Sequence, residues 1–270
     1  MGDKYRLLDF DTITIDGGKV LHRIQALRDI DLCAKCRLPG DKEVVAAGDL
    51  GGYVQNQRNL SQEGLCWIYG DARVYDCARV YEDALVYNNA QIYGVASIYG
   101  NARVCENAQV YGIAQVCGDS CVSGNAQVYG SSKIFQKAWI SDDARIYDNA
   151  RICGDTQVYG KARVYENAQI QDESIFLERE RYYNAVDFPS SPIISDEAQV
   201  YGNAKVIGTN SIRDKAQLFD NIEVEELIVY GSTKIHGNVR ILDCTIAGEV
   251  NIEGEAKLEH LEISGDCRIK

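Results

Sequence analysis

Residues 86–111 have the sequence VYNNAQIYGVASIYGNARVCENAQVY, and a six-residue unit runs through this stretch. A β-branched aliphatic residue occupies every sixth position, and a small residue, mostly alanine, lies two positions before it. A helix, with its 3.6-residue turn, cannot carry that period, which is typical of a repeat architecture. The aliphatic series has eighteen members: Ile68, Val74, Val80, Val86, Ile92, Ile98, Val104, Val110, Val116, Val122, Val128, Ile134, Ile140, Ile146, Ile152, Val158, Val164 and Ile170.

The six-residue unit fits a short strand followed by a corner. Side chains alternate along a strand, so the alanine and the aliphatic residue two positions later share the interior side. Glycine, aspartate or asparagine at the next positions suits a tight corner. Three strands and three corners, which are three hexads, close one coil, and 68–175 supplies six such coils (108/18 = 6). We therefore predict an all-β, three-sided parallel β-helix with coils ~4.8 Å apart.

The order of Val74 and Ala78, an aliphatic residue and a small residue four positions later, resembles the hexapeptide-repeat left-handed parallel β-helix. Left-handed winding is implied by this resemblance alone. The stretch 48–68, with its glycine cluster and the sequence Cys66-Trp67-Ile68, is similar to the YdcK-like proteins. These are bacterial and phage-borne sequences described as hexapeptide transferases. The glycine cluster itself fits neither phosphate-binding pattern.

The sequence divides into four parts. Residues 1–64 are predicted to form a small N-terminal β cap, with two strands about the turn Asp16-Gly17-Gly18, and residues 65–175 the regular solenoid. Residues 176–193 interrupt the period and are predicted to be a loop ejected from the stack. The period resumes at Ile194, in phase with Ile170 (194 − 170 = 24). Residues 194–270 are predicted to be a less regular solenoid, because the spacing there varies between five and six.

Charge and hydropathy argue against several classes of protein. The chain has 28 basic and 40 acidic residues, a formal net charge of −12, and such a surface repels phosphate backbones. We therefore expect no direct nucleic-acid binding. No segment approaches the ~18 apolar residues of a membrane span, and residues 1–10 do not resemble a signal peptide. We expect a cytoplasmic protein with no membrane partner.

The ten cysteines do not predict a disulfide framework. Cys105, Cys117 and Cys153 replace the outward tyrosine of the repeat, and Cys66 replaces the inward small residue. Reduced thiols are the prediction. Cys33 and Cys36 form one C-x-x-C, which is half of a zinc site, so we predict no metal site.

The resemblance to hexapeptide acyltransferases implies a histidine acting as general base toward an acyl thioester. The eighteen hexads contain no histidine; His22 lies in the cap, and His236 and His260 lie in the C-terminal part. None matches a catalytic motif. We predict no catalytic residue and no cofactor; if the chain is an enzyme, His236 and His260 are the candidates.

One outward column repeats tyrosine at every eighteenth position, with arginine or glutamine beside it. Such a column either stabilises the stack itself or forms a partner-binding face, since tyrosine and arginine are enriched in interfaces. The candidate partner-binding residues are Tyr75, Tyr93, Tyr111, Tyr129, Tyr147, Tyr165, Arg145 and Arg163.

The sequence favours a non-enzymatic solenoid that binds a protein partner or itself. An acyl-CoA-dependent transferase of the hexapeptide class is the alternative, and an acidic inhibitor that mimics nucleic acid is a weaker one. Self-association is expected at the C-terminal end, because Ile269 is still in strand phase with Ile263 and no amphipathic helix follows to cover that coil. A homo-oligomer would result.

Overall fold

The structure, a computed structural model, describes residues 2–32, 44–172 and 191–270. Contacts divide the chain into two compact units, Met1–Ser131 and Ser132–Lys270. Both are parallel β-solenoids, as the period of six predicts, and the all-β prediction is confirmed. The hand of winding stays a prediction. None of the helical segments in the described ranges is long and apolar enough to span a bilayer.

In the first unit, an antiparallel hairpin precedes the solenoid. Its register pairs Tyr5 with Ala26 and Ile15 with Lys19, with a bulge between Leu8 and Thr12. The strands are Tyr5–Ile15, Lys19–Ala26, Ile30–Asp31, Val44–Val45, Leu50–Val54, Trp67–Ile68, Arg73–Val74, Arg79–Val80, Leu85–Val86, Gln91–Ile92, Ser97–Ile98, Arg103–Val104, Gln109–Val110, Gln115–Val116, Cys121–Val122 and Gln127–Val128, with 3-10 turns at Asp16–Gly18 and Gln57–Asn59.

The interior follows the hexad. Val74, Ile92 and Val110 lie in register above one another, and they and the alanines of the same coils are fully buried. Strands one coil apart pair in parallel, so that each residue lies beside its equivalent three hexads later. The prediction of stacked coils of three hexads is therefore confirmed in this unit.

The second unit contains the same coils and then longer strands. Its strands are Lys133–Ile134, Trp139–Ile140, Arg145–Ile146, Arg151–Ile152, Gln157–Val158, Arg163–Val164, Gln169–Gln171, Ile193–Ile194, Gln199–Val200, Lys205–Ile207, Ser211–Ile212, Gln217–Leu218, Glu223–Gly231, Lys234–Ile235, Asn238–Ile252, Glu255–Glu259 and Glu262–Ile269. Leu218 pairs with Ile235 (235 − 218 = 17), and Ile246 pairs with Ile263 (263 − 246 = 17). The variable spacing of the sequence therefore corresponds to coils shorter than three hexads.

Val158 pairs directly with Ile194, two coil lengths along the chain (194 − 158 = 36) where the regular coils step by one. Ile170 pairs with Val206 across the same interval (206 − 170 = 36). These adjacent strands are thus separated by one coil length of sequence more than strands in the regular coils. The predicted loop 176–193 falls mostly outside the described residues.

In the described coils, the residue two positions after the aliphatic residue has positive φ at every corner from Gly70 to Glu166, but not at Asp172. Glycine occupies many of these corners, but Glu82 and Glu106 also adopt φ of 58°. Their carboxylates accept the backbone N–H of the corner one coil later: Glu82 Oε2 from Gly100 at 2.8 Å and Glu106 Oε2 from Gly124 at 2.7 Å. A corner amide that the strand ladder does not reach is satisfied in this way.

Not every outward position faces solvent. Leu85, which pairs with Trp67 one coil earlier, is also buried, and so are Cys105 and Ser123 in the neighbouring column that begins with Tyr69. The indole Nε1 of Trp67 is buried with no hydrogen-bond partner in the described structure. Tyr5 of the hairpin packs edge-on against this indole, with 6.4 Å between ring centroids.

Candidate functional site

The predicted tyrosine column is a continuous ring stack within the first unit. Centroids of Tyr75 and Tyr93 are 5.2 Å apart, and those of Tyr93–Tyr111 and Tyr111–Tyr129 are 4.8 Å apart, with planes within 5°. The strand alternation places each ring outward, and the coil spacing sets the distance between them. Lys19 Nζ lies 5.1 Å from the Tyr75 centroid, over the ring at the hairpin side of the stack.

The stacking restricts what these rings can bind. Both faces of Tyr93 and Tyr111 are covered by neighbouring rings, so only ring edges and hydroxyls are accessible. A nucleobase or a sugar ring needs an open aromatic face to stack on. Burial raises the pKa of the Tyr93 phenol above its ordinary value, so this hydroxyl is a neutral hydrogen-bonding group at neutral pH. The column therefore suits hydrogen bonding at its edge.

Three successive coils of this unit have no charged residue on the tyrosine face. We call residues 91–95, 109–113 and 127–131 the uncharged face; they read QIYGV, QVYGI and QVYGS. At its corner, the side chains of Val95 and Ile113 are 56% and 55% exposed. Glutamine amides, phenol edges and exposed aliphatic groups thus lie together on a chain of net charge −12.

The second unit has its own ring stack, which is longer than the sequence indicated. The ring centroids of Tyr147 and Tyr165 are 4.8 Å apart. The candidate residues Arg145 and Arg163 are in register on the two neighbouring parallel strands beside them. The stack continues from Tyr165 with spacings of 4.6–4.8 Å through Tyr201, Phe219 and His236. These three rings were not predicted from the sequence. Tyr201 lies two coil lengths after Tyr165, Phe219 one coil length after Tyr201, and His236 one shortened coil after Phe219, so counting in coil lengths would have identified them.

The corner beside this second stack is polar. Its asparagines form a hydrogen-bonded ladder, in which Nδ2 of each residue donates to Oδ1 of the next; the pairs are Asn149–Asn167, Asn167–Asn203, Asn203–Asn221 and Asn221–Asn238. An open groove runs along the ladder, lined also by Glu166 and Asp220. Where the first unit exposes Val95 and Ile113, the second exposes amides and carboxylates.

The two candidate catalytic histidines lie in different surroundings. His236 is stacked on Phe219 with 4.7 Å between ring centroids, and its ring nitrogens lie 3.8 Å from carboxylates of Asp220 and Glu253. His260 is exposed, and its Nδ1 lies 2.9 Å from Asp243 Oδ2. His236 is thus a member of the ring stack, whereas His260 forms a surface pair with a carboxylate.

Within the described ranges, no three histidine, cysteine, aspartate or glutamate side chains are grouped as metal ligands. Cys33 and Cys36 lie outside the described residues. The other eight cysteines are all free thiols.

Comparison with known proteins identifies the repeat. Residues 96–112 and 144–160 match the YdcK beta-solenoid repeat family, and the first of these stretches includes residues 109–112 of the uncharged face. The comparison with curated proteins gave no match.

Proposed function

We propose that this β-solenoid protein with YdcK-like repeats is a non-catalytic binding protein, and that the uncharged face of its first unit is the surface that contacts a protein partner. The observation that carries the proposal is the exposure of Val95 and Ile113 on a face where three successive coils have no charged residue. Depletion of charged residues and enrichment of tyrosine are typical of interface centres.

The energetics of this surface suit protein binding. Full burial of one aliphatic side chain contributes about 1.5–3 kcal/mol, and the corner offers two such side chains one coil apart. The phenol edges and the glutamine amides beside them supply hydrogen bonds. Stacking already fixes the tyrosine rings, so little side-chain entropy is lost when a partner binds.

A pair of matched corner variants tests the proposal. Ile113→Glu, combined with Val95→Glu, places two charges in the uncharged face; Asn167→Glu, combined with Asn149→Glu, makes the same double change at the corresponding exposed corner of the second unit. A partner captured by the wild-type chain from its host should also be captured by the Asn149 and Asn167 variant and lost by the Val95 and Ile113 variant. In calorimetry with the purified partner, the second-unit variant should bind with the affinity of the wild-type chain, and the first-unit variant should bind much more weakly.

A partner that binds the Val95 and Ile113 variant as tightly as the wild-type chain would show that this face is not the interface. Circular dichroism of each variant controls for folding.

Acyl transfer remains the alternative function, and the contact between His260 and Asp243 is the observation in its favour, because a carboxylate can orient a histidine base. Binding of acetyl-CoA measured by calorimetry, lost in His260→Ala or in His236→Ala, would support it. If the chain is a non-catalytic binding protein, titration with acetyl-CoA should give no heat of binding.

Self-association through the C-terminal coil is a second form of binding that we propose. Ile263 and Ile269 are partly exposed, whereas Ile246 and Ile252, their partners in the preceding coil, are buried. Sedimentation should show a concentration-dependent oligomer that Ile269→Lys reduces to monomer. A monomer at tens of micromolar would contradict it.

A further inference from the structure

A lysine is fully buried where the N-terminal hairpin meets the first coil. Lys4 Nζ lies 3.0 Å from the carbonyl oxygen of Cys66 and 3.1 Å from that of Glu63. The same nitrogen lies 3.2 Å from Cys66 Sγ, and both side chains are excluded from solvent. A buried lysine amine in contact with a thiol is not needed for packing, since alanine occupies the inward position of Cys66 in fourteen other hexads.

The surroundings favour the neutral forms of both groups. Burial lowers the pKa of the Lys4 amine, and burial raises the pKa of the Cys66 thiol. Lys4 Nζ donates to the carbonyl oxygens of Cys66 and Glu63, to the more distant Gly64 oxygen at 3.4 Å, and to Cys66 Sγ. A neutral amine has two hydrogens and a lone pair, so it can keep the two shorter carbonyl contacts while its lone pair faces the sulfur. The amine is then both a base for the S–H proton and a nucleophile next to sulfur.

From this contact we infer that Lys4 and Cys66 form an oxidation-dependent covalent cross-link, a sulfenamide with a bond between Nζ and Sγ. The oxidant is a hydroperoxide such as hydrogen peroxide.

Two steps give this product. The Lys4 amine takes the thiol proton, and the sulfur attacks a peroxide oxygen, which yields a sulfenic acid and one water. The amine then attacks the sulfenyl sulfur; the N–S bond forms, the S–O bond breaks, and the hydroxyl group leaves with an amine proton as a second water. Overall, RSH, R′NH₂ and H₂O₂ give RS–NHR′ and two H₂O. Sulfur is oxidised by two electrons, and peroxide is reduced by two.

The bond would fix the hairpin to the solenoid. Lys4 directly precedes the first hairpin strand, and Cys66 directly precedes the first repeat strand, 62 residues further along the chain. Closing a loop of that length restricts the unfolded chain, so the oxidised protein should resist unfolding more than the reduced protein. A thiol reductant should reverse the effect.

The test is peptide mapping of the full chain after treatment with dilute hydrogen peroxide. Free thiols are blocked by alkylation, and the protein is digested without reductant. The expected product joins the Lys4 and Cys66 peptides, with a mass two hydrogens below their sum, and disappears on reduction. Oxidation should also raise the thermal midpoint of the wild-type chain.

Three variants separate this cross-link from disulfide formation. Lys4→Met keeps the buried aliphatic stem without an amine, and Cys66→Ala restores the alanine of the other hexads; both should lose the linked peptide and the thermal shift. Cys77→Ala removes an exposed thiol and should retain both. Recovery of alkylated or over-oxidised Cys66 together with free Lys4, under conditions that oxidise Cys77, would overturn the inference.

Discussion

Glu106, an acidic residue at a corner, has two opposing effects on the stability of the folded state. Glu106 has φ of 58°, which is unfavourable for a residue with a Cβ, and its carboxylate accepts a hydrogen bond from Gly124 N at 2.7 Å. The backbone strain and the hydrogen bond are each of order ~1–2 kcal/mol. The native glutamate is tolerated because the second effect offsets the first.

Substitution at this corner can separate the two contributions. Glu106→Ala loses the hydrogen bond and keeps the strain, so we expect it to destabilise the protein by about 1–2 kcal/mol. Glu106→Gly also loses the hydrogen bond but relieves the strain, so its effect should be smaller by about 1 kcal/mol. Denaturant unfolding followed by circular dichroism gives both values. Equal destabilisation by the two variants would show that strain plays no part.

The glycine cluster before the first coil has a packing explanation. A Cβ on Gly52 would lie 2.5 Å from Ile68 Cγ2 and 2.6 Å from Ala72 O, whereas a Cβ on Gly18, at the hairpin turn, would contact nothing within 4 Å. We expect Gly52→Ala to cost about 1–3 kcal/mol through overpacking. Gly18→Ala carries only the cost of positive φ, about 1 kcal/mol. A lower thermal midpoint for Gly18→Ala than for Gly52→Ala would contradict this packing explanation.

At the scale of an element, the ring stacks couple stability to alkaline pH. Burial raises the pKa of Tyr165 to about 12, and burial also raises the pKa of Tyr201. An unfolded tyrosine loses its proton near pH ~10. Between these two pH values the unfolded state binds fewer protons than the folded state. The contribution of these tyrosines to the free energy of unfolding is therefore fully present below pH ~10 and is lost as the pH rises toward 12.

Removing one hydroxyl from the stack tests this coupling. Phe219 already stacks at 4.8 Å from Tyr201, so Tyr165→Phe should preserve the ladder while removing one titrating group. We expect its alkaline unfolding, measured by circular dichroism alongside phenolate absorbance, to begin at a higher pH than in the wild type. An unchanged or earlier transition would show that the ring stack does not control alkaline stability.

Periodicity predicted the regular elements because each hexad contains its own strand, corner and core residue. The outward tyrosines of both units up to Tyr165 followed from the same arithmetic. The continuation of the stack to His236 required a step of two coil lengths, which the period alone does not supply. The carboxylate at Glu106 was missed because glutamate is not a usual corner residue. The Lys4 contact was not predictable, since it joins segments 62 residues apart with no repeat between them.

At the scale of the whole molecule, net charge and the candidate interface predict different salt responses. The chain has a net charge of −12, and attraction between such a surface and a basic partner weakens as salt shortens the Debye length. Contacts made by Val95 and Ile113 do not depend on charge. A partner held by these side chains should therefore bind with an affinity that changes little with ionic strength.

Between about 0.05 and 0.5 M salt, we expect the dissociation constant of the captured partner to change less than about threefold, because apolar burial is not screened. Gln109→Glu introduces one charge at the centre of the uncharged face and should weaken binding, since that charge must be desolvated against the partner. Calorimetry at several salt concentrations measures both effects. A steep loss of wild-type affinity with salt would instead place the interface on the acidic surface, where charge dominates recognition.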